Sequence, residues 1–166
     1  MRQFIIILVA LLMLTPGVAA KDNPIEVGSV NWGRDLDQAQ KLSGETGRPV
    51  FVLFQEVPGC SGCQDFGRTV LSNPQIVEAV ESEFYPVLVY NNRGGKDRQL
   101  LKRFGEPAWN FQVVRFLDSK GQDIIPRKDR VWTVKDLVAR MIETLQATNR
   151  PVPKYLQRLA EEKAFK

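Results

Sequence analysis

The chain has 166 residues, 23 Lys and Arg against 19 Asp and Glu, a formal net charge of +4, two cysteines and no histidine. The missing histidine excludes a Ser-His-Asp triad, a Cys-His hydrolase pair and any zinc site built on imidazole. Basic residues are scattered among acids rather than clustered, which argues against nucleic acid as a partner.

Residues 1–20 read as a cleaved secretory signal. Arg2 supplies a basic start, residues 4–14 form an unbroken apolar run, Pro16-Gly17 breaks it, and Val18-Ala19-Ala20 offers the small residues at which a signal peptidase cuts. Cleavage leaves Lys21 as the first mature residue. No cysteine follows the run directly, so a lipid anchor is not indicated. The competing reading is an uncleaved single-span anchor, but the run falls short of the about 20 residues that a membrane helix needs. The expected location is periplasmic or secreted, with the membrane met only during export. About 146 residues remain, enough for one domain with a core of its own. The two cysteines are therefore not a structural framework, and export places them where disulfides persist.

Residues 21–30 read as a lead-in, 31–148 as the domain and 149–166 as a helical extension. Asn31-Trp32-Gly33 opens the ordered part, and Asp35 caps a helix to about residue 43 with Leu36, Ala39 and Leu42 on one face. Residues 50–54 are a short apolar, β-branched run, the pattern of a central strand covered on both faces. A helix is expected over 61–71, and another after the Asn73-Pro74 cap carries Ile76, Val77 and Val80. Residues 86–90 form a second strand, 97–104 a short helix ended by Gly105, and 113–117 a third strand. A turn over 118–121 then leads to Ile124-Ile125, expected as the paired strand of a hairpin. Arg127-Lys128-Arg130 reads as a solvated loop. Thr133 caps the strongest helix, with Val134, Leu137, Val138, Met141, Ile142 and Leu145 in one stripe. A last helix over 153–164, carrying Tyr155, Leu156 and Leu159, is expected to pack back on the domain. Trp32, Trp109 and Trp132 read as packing anchors, with Trp109 also placed to border the cysteines. Strands alternating with helices give an α/β layer structure.

Both cysteines lie in Val57-Pro58-Gly59-Cys60-Ser61-Gly62-Cys63, between a strand and a helix. Unpaired N–H groups and partial positive charge at the helix start favour a thiolate at Cys60, the attacking sulfur. Cys63 is one turn on, placed to close a disulfide and release a bound partner.

The strand over 50–54 with its Cys motif, the hairpin over 113–125 and the stripe helix together resemble an exported thioredoxin-like protein. Val57-Pro58-Gly59-Cys60 is similar to a bacterial thioredoxin-like group in which V-P-G precedes cysteine or selenocysteine. The resemblance implies a thioredoxin-like fold, a central mixed sheet flanked by helices, here with an extra C-terminal helix. It also implies a redox disulfide between Cys60 and Cys63, no cofactor, no metal, and a partner protein with an exposed thiol or disulfide.

The chain departs from the family pattern at several positions. Gly59 stands where thioredoxins have tryptophan, and Ser61-Gly62 replaces Gly-Pro, so that Ser61 could hydrogen-bond a thiolate. Phe54 stands where the family keeps a buried aspartate; Glu56, the nearest carboxylate, could serve instead, but an exposed strand end is the preferred reading for it. The family's cis-proline position falls near Phe111 or Gln112, with Pro107 several residues early, so an ordinary trans loop is expected there, together with a narrow partner range. Three readings of the pair stay open: a thiol–disulfide oxidoreductase, which is preferred; a soft-metal or organometal thiol binder; and a redox-silent interaction module with the cysteines as a local staple.

Overall fold

The computed structural model describes residues 22–108 and 111–162. The expected signal segment and Trp109 lie outside the described residues. Elements follow in the order α1 (Leu36–Thr46), β1 (Val50–Gln55), α2 (Ser61–Thr69), α3 (Pro74–Glu83), β2 (Tyr85–Tyr90), α4 (Lys96–Phe104), β3 (Val113–Leu117), α5 (Val134–Ala147) and α6 (Lys154–Glu161). This is the thioredoxin-like α/β arrangement expected from the sequence.

The sheet runs β2-β1-β3, with β1 parallel to β2 and antiparallel to β3. β1 is buried along its whole length. Its side chains alternate between two cores, as the two-residue period of a strand requires. Phe51 and Leu53 join Phe66, Ile76, Phe84, Phe116, Leu137, Met141 and Leu145 on the face covered by α2, α3 and α5. Val50, Val52 and Phe54 join Leu36, Val87, Val89 and Leu101 on the face covered by α1 and α4. The aspartate position of the family pattern is thus an apolar core position in this chain.

Local chemistry sets the helix ends. Asp35, Asn73 and Thr133 cap α1, α3 and α5 with side-chain acceptors, and Gly47 and Gly105 close α1 and α4 in the left-handed conformation. α6 buries Leu156 and Leu159 and contacts α5 and α3, so it packs back on its own chain.

Three features differ from the sequence reading. The packed part begins before Asn31: a short 3-10 turn at Ile25–Val27 buries Glu26 and Val27 and lies against α2. Gly67 permits this approach, because a Cβ there would lie 1.9 Å from the carbonyl oxygen of Ile25. The hairpin partner of β3 shrinks to a single bridge between Leu117 and Asp123. Asp123 pairs with Arg115, Ile125 turns into the core, and Pro126 has no N–H to extend the ladder. Finally, Arg127 is not a solvated loop residue. Its Nε donates to Glu106 Oε1 at 2.7 Å, and the same oxygen accepts from Arg115 Nε at 2.7 Å. Burying a carboxylate requires such paired donors.

Candidate active site

β1 ends at Gln55, and the turn through Val57, Pro58 and Gly59 carries the chain to Cys60, the N-cap of α2. Among the described residues the cis peptide is Val57–Pro58; the bond before Pro107 is trans. Gly59 is needed for close approach, because a Cβ there would lie 2.5 Å from the Glu56 carbonyl oxygen and 2.7 Å from Cys63 Cβ. This accounts physically for glycine where thioredoxins have tryptophan.

Cys60 and Cys63 are free thiols, with Sγ atoms 3.6 Å apart. Cys60 is exposed and Cys63 fully buried. The two thiols are pushed in opposite directions. The backbone N–H of Cys63, then its thiol, hold the Cys60 pKa below its ordinary value; desolvation opposes them, the N–H of Gly62 adds a smaller lowering, and Glu56 a smaller opposition. Burial first, then the Cys60 sulfur and Glu56, push Cys63 up to about 12. One turn of helix thus separates an accessible thiol of lowered pKa from a buried thiol of raised pKa.

The expected supporting residues divide. Gly59 donates its N–H to Glu26 Oε1 at 2.9 Å. Ser61 begins α2 and is exposed, and the N–H donors that lower Cys60 belong to Cys63 and Gly62. Glu56 is half-buried rather than an exposed strand end, and one of its carboxylate oxygens lies within 4.8 Å of both sulfurs. Phe111 turns away from the dithiol: it is 62% exposed and packs on Trp132 with ring centroids 5.5 Å apart. Its neighbour Gln112 is the residue that faces Cys63, whose thiol donates to Gln112 Oε1 at 3.9 Å. In an extended segment leading into β3, adjacent side chains point to opposite sides.

Two further residues were not singled out from the sequence. Glu26 is 4% exposed, and its backbone oxygen accepts from Gln55 Nε2 at 2.6 Å. The same Gln55 nitrogen reaches the Cys63 carbonyl oxygen at 3.4 Å. A polar residue closing an apolar strand just before the Cys motif was a usable signal for Gln55; a single acid between Ile25 and Val27 carried none for Glu26.

An exposed thiol at a helix N-terminus, with a second thiol buried a turn away, defines a dithiol site of the thioredoxin kind. The chain belongs to the thioredoxin-like family, whose model matches residues 31–118. Among solved structures it is similar to a protein named DsbH oxidoreductase, with 15% identity and a TM-score of 0.56, covering 76% of this chain and 90% of that one. It is also similar to a thioredoxin from Thermus thermophilus, with 21% identity and a TM-score of 0.55, covering 69% and 86%. Both likenesses concern the fold. No curated protein sequence matches the chain.

Proposed function

We propose that this protein is an exported thiol–disulfide oxidoreductase that exchanges its Cys60–Cys63 pair with a partner protein. The observation that carries the reading is the asymmetry of the pair: an exposed thiol of lowered pKa at the start of α2, 3.6 Å from a buried thiol pushed up to about 12. The name of the DsbH oxidoreductase relative accords with it, and the signal-like start of the sequence accords with export.

In the reducing direction the Cys60 thiolate attacks a partner disulfide. A bond forms between Cys60 and one partner sulfur, and the other leaves and takes a proton. Cys63 then loses its proton and attacks the Cys60 sulfur, which closes the intramolecular disulfide and releases the second partner thiol. In this scheme Glu56, with a carboxylate oxygen within 4.8 Å of both sulfurs, takes that proton. The oxidising direction is the same sequence reversed.

The test is equilibration of the protein with glutathione or dithiothreitol buffers containing a metal chelator, with free thiols trapped at each potential. A reversible two-electron couple is expected. A midpoint near −270 mV, roughly that of thioredoxin, marks a reductase, and one near −120 mV, roughly that of a strong oxidant, marks an oxidase of exported clients. A pair that does not cycle overturns the reading. A Cys63→Ser variant is expected to accumulate a mixed disulfide with the partner through Cys60, which identifies that partner.

A further inference from the structure

Three donor atoms of different chemistry converge where β1 gives way to α2. The Sγ atoms of Cys60 and Cys63 and a carboxylate oxygen of Glu56 all lie within 4.8 Å of one another. The sulfurs are 3.6 Å apart. An ion bound tetrahedrally at about 2.3 Å from each sulfur needs them roughly 3.8 Å apart. The thiols therefore already stand at ligand spacing, set by one turn of α2. An oxygen ligand at about 2.1 Å belongs roughly 3.6 Å from each sulfur, and rotation within the long Glu56 side chain covers a closure of about 1 Å.

We propose that the reduced protein holds one zinc-like divalent ion on Cys60, Cys63 and Glu56, with the fourth position open to water. The donor set selects the class of metal. Two thiolates alone suit a soft monovalent ion such as Cu(I), whereas adding a carboxylate shifts preference to a borderline divalent ion that accepts sulfur and oxygen together. Cys60 is exposed and Glu56 half-buried, so the site has an entry path. Any thiol that is protonated releases its proton to solvent as it binds, and no electrons move.

Metal and disulfide are mutually exclusive at this position, since both use the same two sulfurs. A bound ion holds the dithiol reduced and occupies the Cys60 sulfur, so it silences exchange until the ion is removed. The inference uses the same dithiol as the proposed exchange but requires no electron transfer, so the two stand or fall on different measurements.

The experiment is an anaerobic titration of the reduced, chelator-stripped protein with Co(II), read by thiolate-to-cobalt charge transfer, followed by displacement with Zn(II). One equivalent is expected to bind to the reduced protein and none to the oxidised protein, with zinc abolishing the band. Glu56→Gln and Glu56→Ala, each checked for the native circular dichroism spectrum, are expected to weaken binding. The loss should be at least the roughly 10- to 100-fold that follows removal of an outer-shell partner. Absence of the band from reduced wild type, or Glu56 variants that bind as tightly as wild type, overturns the site. The redox couple, measured separately in chelator, is untouched by either result, so failure of the metal site and failure of the exchange reading are told apart.

Discussion

The carboxylate of Glu26 accepts the backbone N–H of Gly59 at 2.9 Å, across 33 residues of sequence. The segment before the domain thereby fixes the residue before Cys60. The contact depends on the 3-10 turn lying directly on α2, which Gly67 allows.

Removing that contact is expected to loosen the Cys motif as well as the lead-in. Glu26→Ala should cost about 1.5–3 kcal/mol, the range for a hydrogen bond to a charged group, because Gly59 loses its acceptor in a partly buried setting. Glu26→Gln retains an acceptor oxygen and should cost less. Gly67→Ala should destabilise by about 1–3 kcal/mol or more, because the added carbon meets backbone that has no room to move. Urea unfolding of the reduced proteins measures all three, and a Glu26→Ala variant as stable as wild type removes the anchoring role.

The two thiols should titrate far apart. Cys60 is held below its ordinary value of 9.0, so its alkylation by iodoacetamide should gain rate at lower pH than a free cysteine does. In a Cys60→Ser variant the remaining thiol should still react only at higher pH than a free cysteine, because burial still raises it, but below about 12, because the push from the Cys60 sulfur is gone. Linkage gives the sign for stability. A raised folded pKa means that the unfolded chain ionises first, so the Cys63 contribution is fully present below 9.0 and is lost as pH rises toward about 12. The lowered folded pKa of Cys60 acts oppositely, its contribution being present above 9.0 and lost as pH falls through the folded value. Cys63→Ala should flatten the alkaline slope; an unchanged slope contradicts the assignment.

Glu106 is the buried centre of a charge cluster. One of its oxygens accepts from both Arg115 and Arg127 at 2.7 Å, and Arg115 also pairs with Asp123. Glu106→Ala leaves Arg115, itself buried, short of a counter-charge, and should cost about 3–5 kcal/mol, the range for breaking a buried pair from one side. Chemical denaturation should show a lower midpoint with the slope preserved. A change below about 0.5 kcal/mol, the range of an ordinary surface substitution, would show the cluster to be idle.

Gln112 acts on the reduced form through the Cys63 thiol that it faces. Gln112→Leu removes one of the two acceptors that the Cys63 S–H faces, the other being the Cys60 sulfur, which destabilises the dithiol relative to the disulfide. The midpoint potential should therefore fall, by at most about 30 mV, because a tenfold change in the equilibrium constant is 29.6 mV and the contact is long. A rise in potential reverses the assigned direction.

Much of this was legible in the chain itself. β1 was readable because its alternate residues face two cores, so the whole run is apolar. The helix starts at Asp35, Asn73 and Thr133 were readable because capping is local chemistry. The hairpin pairs back on β3 through Ile124 N–H and one bridge but is shorter than its composition suggests, because a pairing between Arg115 and Asp123 and a core pocket for Ile125 decide the path. The sequence narrows the position facing the dithiol only to Phe111 or Gln112, because only the strand register tells which of two neighbours faces inward.

The sequence by itself determined the α/β order and the place of the cysteine pair at a helix start, because those rest on periodicity, caps and a spacing of one helical turn. The tertiary structure alone decided the surroundings of the dithiol: Glu26 beneath Gly59, Glu56 within reach of both sulfurs, and Gln112 against Cys63. These contacts join residues distant in sequence or depend on which way a side chain turns, and no local propensity records either.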